Sequence, residues 1–188
     1  MILLGSGSAR RRELLAGLGF SLRVEPPEVD ERVRPGEAPL AYLQRVVADK
    51  SAETARKLRD TDRGCLVADT IVVCDAEILG KPVDPADARR MLERLQDRAH
   101  LVATRFSLVC GAGVHSETVQ TAVHFRALSD AERDAYVASG EGVDKAGGYA
   151  IQGGAASFVR EIHGSYTNVV GLPLAEVAIA CAAFGLRP

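Results

Sequence analysis

Hydrophobic positions along the first half of the chain follow helical and strand periods in turn. Four elements are predicted first: a strand at MILLG closed by the turn GSGS, a helix from about Ser8 to Leu18, a strand at SLRVEP, and a helix from about Leu40 to Leu58. The next stretch, CLVADTIVVCDAEILGKP, alternates like a β-hairpin that turns at Asp75 and Ala76.

The second half of the chain also contains both predicted helices and predicted strands. Asp84 and Pro85 predict the start of a helix, and Ser129 with Glu132 predicts a capping box at the start of another. The other predicted elements are paired strands in HLVATRFSLVCGAG and HSETVQTAVHFRAL, a strand at ASFVREI after a glycine-rich loop, and a last helix from Pro173 to about Phe184. Because the central strands are consecutive and hairpin-linked, we expect an α/β fold with a mixed sheet flanked by helices.

Composition and charge limit the class of protein. The 188 residues are 47% hydrophobic and 26% charged with a formal net charge of −2, which is typical of a single globular domain over residues 1–188. A nearly neutral chain without a long apolar run predicts neither a nucleic-acid nor a membrane partner. Its four cysteines form no CxxC pair, so we expect reduced thiols in a cytoplasmic protein.

The segment SGSARRR places three cations where a helix N-terminus already carries partial positive charge. A strand, a glycine turn and a helix start present N–H groups outward, so Arg10 and Arg11 are explained if a ligand phosphate supplies the missing negative charge. The alternative is a solvated basic turn, and Arg12, followed by Glu13, fits that alternative better. The segment matches neither a Walker loop nor a dinucleotide-binding fingerprint.

Lys50 falls on the inward face of the predicted second helix. The apolar stripe of that helix runs through Leu40, Leu43 and Val47, and its next position is Lys50. A lysine there either extends its ammonium to the edge of the core or serves a buried site.

Asp69 lies among the apolar residues of CLVADTIVV and therefore needs a partner. A strand-end cap or a salt bridge would satisfy it, but a carboxylate among bound phosphates normally recruits a divalent metal. Glu31 and Asp30 in VDER offer further oxygen ligands, or else form a solvated acidic loop. In DKAGGYAIQGG the glycines allow close backbone approach to a ligand, and Gln152 can both donate to and accept from a base edge; a mobile surface loop is the alternative.

Together these segments resemble the Maf family of nucleoside triphosphate pyrophosphatases. The matching segments are SGSARRRELL, VDER, Asp49-Lys50, VADTIV, LGKPVD, ARRMLERL, DKAGGYAIQG and GSYTNVVGLPL, in order from Leu4 to Leu174. The resemblance implies an elongated, two-lobed fold similar to the inosine triphosphate pyrophosphatases, with a central cleft. The chain departs from the family pattern at Ala9, Ser51 and Arg105, and none of these removes a group that carries chemistry.

The resemblance also implies roles for single residues. Asp69 corresponds to the proton acceptor, and Glu31 corresponds to an acidic residue that acts through a divalent cation, so Glu31 and Asp69 are the expected metal ligands. The residues that correspond to the lining of the phosphate cleft are Ser6, Arg10, Arg11, Lys50 and Lys81. The positions linked to base selection correspond to Arg10, Thr70 and Gln152.

The implied activity is hydrolysis of dTTP and UTP, with modified pyrimidine nucleotides as further candidates, to the monophosphate and pyrophosphate with Mg²⁺ or Mn²⁺. A 7-methyl-GTP pyrophosphatase, a nucleotide-binding regulator of septum formation, and a phosphatase that releases single phosphates stay open as alternatives. The expected partner is the nucleoside triphosphate, and the oligomeric state stays open, with a homodimer among the alternatives.

Overall fold

The computed structural model describes residues 1–188, which form seven strands and six helices. The strands are β1 (Ile2–Leu4), β2 (Leu22–Val24), β3 (Gly64–Cys74), β4 (Glu77–Leu79), β5 (Ala99–Cys110), β6 (Gly113–Phe125) and β7 (Val159–His163). The helices are α1 (Ala9–Gly17), α2 (Pro39–Ala55), α3 (Pro85–Leu95), α4 (Asp130–Ala138), α5 (Tyr166–Val170) and α6 (Leu174–Ala183). None of these helices combines the length and the apolar character needed to cross a membrane.

The seven strands form one sheet that contains both parallel and antiparallel pairs. Its order is β2-β1-β3-β5-β6-β7, and β4 pairs with β3. The strand β1 is parallel to both β2 and β3, whereas β3 with β4 and β6 with β7 are antiparallel. The predicted mixed α/β class is therefore confirmed.

Local sequence signals account for several element boundaries. The carboxylate of Asp84 accepts the N–H of Asp87 at 2.7 Å and caps α3. Ser129 and Glu132 form the predicted reciprocal capping box at the start of α4. Asp75 and Ala76 have φ values of +52° and +63°, the left-handed pair that a two-residue hairpin turn requires, so the β3–β4 hairpin turns where the sequence predicted.

Two expectations from the pattern were wrong in detail. Leu40, expected on the inward stripe of α2, is 43% exposed because it lies in the first turn of the helix, beyond the part that packs on the core. In ASFVREI the strand begins only at Val159, because residues 154–158 form a short 3₁₀ segment that follows Gly153.

The chain divides into two compact units, residues 1–69, 104–119 and 171–188 in the first and residues 70–103 and 120–170 in the second. The first unit has an aliphatic core in which Leu4 and Leu66 of the sheet pack with Leu15 of α1 and Val177 of α6. The second unit contains a ring cluster of His100, Phe125, Tyr136, Tyr149 and Phe158. All four cysteines are free thiols, as expected, and only Cys110 is not fully buried.

Candidate active site

The candidate active site of the first unit centres on a lysine between two acids. The ammonium Nζ of Lys50 lies 3.2 Å from Oδ1 of Asp69 and 3.0 Å from Oε1 of Glu31. The Lys50 side chain is only 9% exposed, so α2 does turn it inward as the helical spacing predicted. Its ammonium does not extend into solvent, because it is largely buried and forms ion pairs with Glu31 and Asp69. Both of these partners are predicted site residues.

Asp69 comes from the middle of β3, flanked by buried apolar residues of the strand. It is held by a second cation as well, since Nη2 of Arg11 lies 3.9 Å from Oδ1 of Asp69. A largely buried carboxylate with two cationic partners satisfies the requirement that the sequence raised, because a buried charge is stable only when it is paired.

Arg11 is fixed by neutral oxygens in addition to Asp69. Its Nε donates to the carbonyl of Gly171 at 2.8 Å, and its Nη1 donates to the hydroxyl of Ser6 at 3.3 Å. Burial lowers the pKa of Arg11 below its usual value, Asp69 and Glu31 oppose that shift, and Arg10 adds to it. Arg10 and Arg11 are thus close enough to repel each other, which is the situation that a bound anion would relieve.

The turn between β1 and α1 presents this group. Ser8 caps α1 by accepting the N–H of Arg11 at 3.4 Å, and the Ser8 N–H donates to the hydroxyl of Ser6 at 3.2 Å. The first turn of α1 contains no acidic residue, so its N–H groups and the arginines together form a positive region. Arg12 is exposed, in agreement with the expectation that it belongs to a solvated turn.

The remaining predicted residues lie in the second unit. Thr70 directly follows Asp69 on β3 and is half-buried, while Lys81 and Gln152 are both exposed. A backbone hydrogen bond from the Gly147 N–H to the Gly80 carbonyl, 3.0 Å long, joins the segment before Lys81 to the glycine-rich loop that carries Gln152. The roles expected for these three residues stay predictions.

The donor set of the first unit offers two carboxylates as possible ligands of a divalent cation. No group of three or more His, Cys, Asp or Glu side chains is arranged to hold a metal ion. Two carboxylates, Glu31 and Asp69, already converge on one cation at Lys50. Because Mg²⁺ is usually bound by one or two carboxylates together with water and substrate phosphates, this pair is a sufficient protein contribution.

A family model described as Maf-like protein matches residues 1–184. The chain belongs to this family. Relatives of this Maf-like protein include the dTTP/UTP pyrophosphatase of Geobacter sp. strain M21, 50% identical over 98% of this chain and 95% of the relative. Proteins of the same name from Geobacter metallireducens and Chromobacterium violaceum are 51% and 46% identical, over 94% and 99% of this chain and 92% and 96% of theirs.

Among solved structures, the Maf-like chain matches the Staphylococcus aureus Ham1 protein with a TM-score of 0.47 and 12% identity, over 66% of this chain and 71% of that one. The two-lobed shape with a central cleft stays a prediction.

Sequence reasoning missed several residues that shape the site of this Maf-like protein. Tyr42 and Arg45 of α2 hydrogen-bond the loop that carries Glu31, and Gly171 supplies the carbonyl that holds Arg11. Tyr42 could have been placed near Lys50 by helical spacing. The other contacts join residues 13 to 160 positions apart in the chain, and the sequence carries no signal for them.

Proposed function

We propose that this Maf-like protein hydrolyses dTTP and UTP between the α and β phosphates, giving the monophosphate and pyrophosphate. Relatives about half identical to this chain over nearly its whole length are named dTTP/UTP pyrophosphatases, and that observation carries the proposal. The paired carboxylates and cations of the first unit supply the chemistry that such a reaction needs.

The triphosphate binds where the positive groups of the first unit collect. Arg10, Arg11 and the N–H groups at the start of α1 neutralise phosphate oxygens, and Ser6 holds the Arg11 guanidinium in place. Lys50 can turn its ammonium from the carboxylates to a phosphate, because the lysine side chain is flexible. Lys81 is a further proposed phosphate ligand on the basis of the family resemblance alone.

Asp69 acts as the general base. Its carboxylate accepts a proton from the attacking water, while Arg11 holds it in position once Lys50 has turned to the phosphate. Glu31 and Asp69 would hold a divalent metal, which when bound neutralises charge on the leaving pyrophosphate. Gln152 and Thr70 would read the pyrimidine base. We place this activity in the cytoplasm, which the four free cysteines favour.

The test is a nucleotide panel of dTTP, UTP, CTP and 7-methyl-GTP with Mg²⁺ or Mn²⁺, in which pyrophosphate and inorganic phosphate are measured separately. We expect pyrophosphate release that is fastest with dTTP and UTP. Release of single phosphates, or a preference for 7-methyl-GTP, would contradict the proposal.

Asp69→Asn keeps the shape of the side chain and removes the base. We expect kcat to fall by about 100-fold or more, with nucleotide affinity changed only a few-fold. The matched control is Asp60→Asn, the same change at an exposed position of the same unit. If Asp69→Asn turned over at the wild-type rate, Asp69 would not be the base.

Gln152→Ala tests base selection. We expect the ranking of dTTP, UTP and CTP by kcat/KM to change, because the amide is the group that can hydrogen-bond a base edge. Gln120→Ala, an exposed glutamine on β6, serves as the control and should leave the ranking intact. An unchanged ranking in Gln152→Ala would remove this residue from the selectivity set.

A further inference from the structure

The loop between β2 and α2 carries Glu31 without any regular secondary structure of its own. Residues 25–38 form neither helix nor strand, and the Glu31 side chain is 51% exposed. Its carboxylate pairs with the ammonium of Lys50, which is shared with Asp69. The position of the Glu31 carboxylate must therefore be set mainly by what holds the backbone of its loop.

Two side chains of α2 hold that backbone at three consecutive carbonyls. The hydroxyl of Tyr42 donates to the Glu31 carbonyl at 2.9 Å. The guanidinium of Arg45 donates to the carbonyls on either side, at 3.2 Å to Asp30 and 2.9 Å to Arg32. Each carbonyl from 30 to 32 thus accepts a hydrogen bond from one rigid helix.

Arg45 is itself fixed from the far end of the loop. Its Nε and Nη2 donate to the two carboxylate oxygens of Glu37 at 2.6 and 2.8 Å, and that carboxylate also accepts the N–H of Arg34 at 3.0 Å. The Arg45 and Glu37 side chains are only 15% and 11% exposed. A bidentate, largely buried pair of this kind has little freedom, and Arg45 also stacks over the Tyr42 ring, 5.5 Å from its centroid.

We propose that Tyr42 and Arg45, together called the α2 clamp, are positioning residues that hold Glu31 at the site through the backbone of its loop. The proposal rests on the proposed function, in which Glu31 is a metal ligand. A divalent ion tolerates only small displacements of a ligand, so the clamp would set metal affinity and not only loop order.

The experiment compares Tyr42→Phe and Arg45→Met with wild type. Binding of Mn²⁺ in the presence of a non-hydrolysable dTTP analogue is followed by the electron paramagnetic resonance of the free ion. The other two measurements are kcat and KM for dTTP, and Tm. We expect each variant to weaken Mn²⁺ binding and to lower kcat/KM by about 10-fold. Controls are Tyr166→Phe, at an exposed tyrosine, and Arg56→Met, which removes an exposed ion pair with Glu53 at the C-terminal end of α2. Both controls should match wild type in Mn²⁺ binding.

A double-mutant cycle separates positioning from general loss of order. In a Glu31→Gln background, Tyr42→Phe should have almost no further effect on Mn²⁺ binding, because the ligand that the clamp positions is already gone. The inference would be overturned if Tyr42→Phe and Arg45→Met lowered Tm without weakening Mn²⁺ binding. It would also be overturned if Tyr42→Phe reduced Mn²⁺ affinity by the same factor in the Glu31→Gln background as in wild type. A wild-type protein that binds Mn²⁺ with the analogue but releases no pyrophosphate would instead count against the proposed function alone.

Discussion

Replacing Gly5 by alanine tests how tightly the turn that begins the site is packed. Gly5 follows β1, and its N–H donates to the Leu66 carbonyl of β3 at 2.9 Å. A Cβ at this position would lie 2.4 Å from Oγ1 and 2.8 Å from Cγ2 of Thr54, and 2.7 Å from Cγ1 of Val67. Thr54 and Val67 are fully buried, so neither neighbour has free space into which it can move.

The magnitude follows from these overlaps. Inserting a methyl group into a packed core costs about 1–3 kcal/mol, and three contacts this short place Gly5→Ala in the upper half of that range, about 2–3 kcal/mol. For a chain of this size that corresponds to a drop in Tm of about 4–12 °C. Because Gly5 precedes Ser6 and the start of α1, we also expect kcat/KM for dTTP to fall.

The assay is urea and thermal unfolding of Gly5→Ala, Thr54→Ala and the double variant. Thr54→Ala removes two of the three clashing atoms, including a buried hydroxyl without a hydrogen-bond partner, so the double variant should recover about 1 kcal/mol relative to the sum of the single losses. Gly7→Ala is the control in the same turn, since its nearest neighbour would be Cγ of Pro26 at an ordinary 3.6 Å. Strictly additive losses, or a Gly5→Ala variant as stable as Gly7→Ala, would refute the packing argument.

Three further predictions concern stability. Burial, with smaller contributions from Arg98 and His124, lowers the pKa of His100 to about 4, so the folded protein keeps this imidazole neutral while the unfolded chain protonates near pH 6.5. The free energy of unfolding should therefore fall by about 2 kcal/mol between pH 7 and pH 5. Urea titrations should show that this loss is abolished in His100→Phe. Ala76→Gly should raise the free energy of unfolding by about 0.5–1 kcal/mol, because Ala76 has a φ of +63°. A matched Ala135→Gly change at an exposed position inside α4 should lower the free energy of unfolding, and the reverse order in calorimetry would contradict this account of the hairpin turn. Ser129→Ala removes the capping box of α4 and should cost about 1 kcal/mol in the same measurement, and a loss below 0.3 kcal/mol would show that the cap contributes little.

The local elements could be read from the sequence because their signals are local. Each of these signals acts within four residues, as at the caps Asp84 and Ser129 and the Asp75–Ala76 turn. Helical spacing alone was enough to predict that Lys50 points inward. The prediction that Leu40 is buried was wrong, because periodicity identifies the inward face of a helix but not the point along the helix at which contact with the core ends.

The partners of the site residues could not be predicted, because they depend on long-range packing. Lys50 meets Asp69 from 19 positions away, and Arg11 meets the Gly171 carbonyl from 160 positions away. The family resemblance supplied the identity of the site residues but not their contacts. Asn168 shows the same limit: it is fully buried and donates to the Val102 carbonyl and the Thr121 hydroxyl, yet nothing in GSYTNVVGLPL marks it as internal.

The ion triplet of Lys50, Glu31 and Asp69 also bears on how this protein can evolve. Only Lys50 and Asp69 of this triplet are largely buried, since the Glu31 side chain is 51% exposed. Exchanging a largely buried ion pair for apolar side chains of similar volume is often neutral or favourable for folding, and at Lys50 it would complete the apolar stripe of α2. A lineage no longer under selection for the proposed activity would therefore lose little folding stability, or gain some, by accepting apolar side chains at Lys50 and Asp69. Whether the Lys50 and Asp69 charges persist in a descendant would accordingly record whether selection for the proposed activity continues.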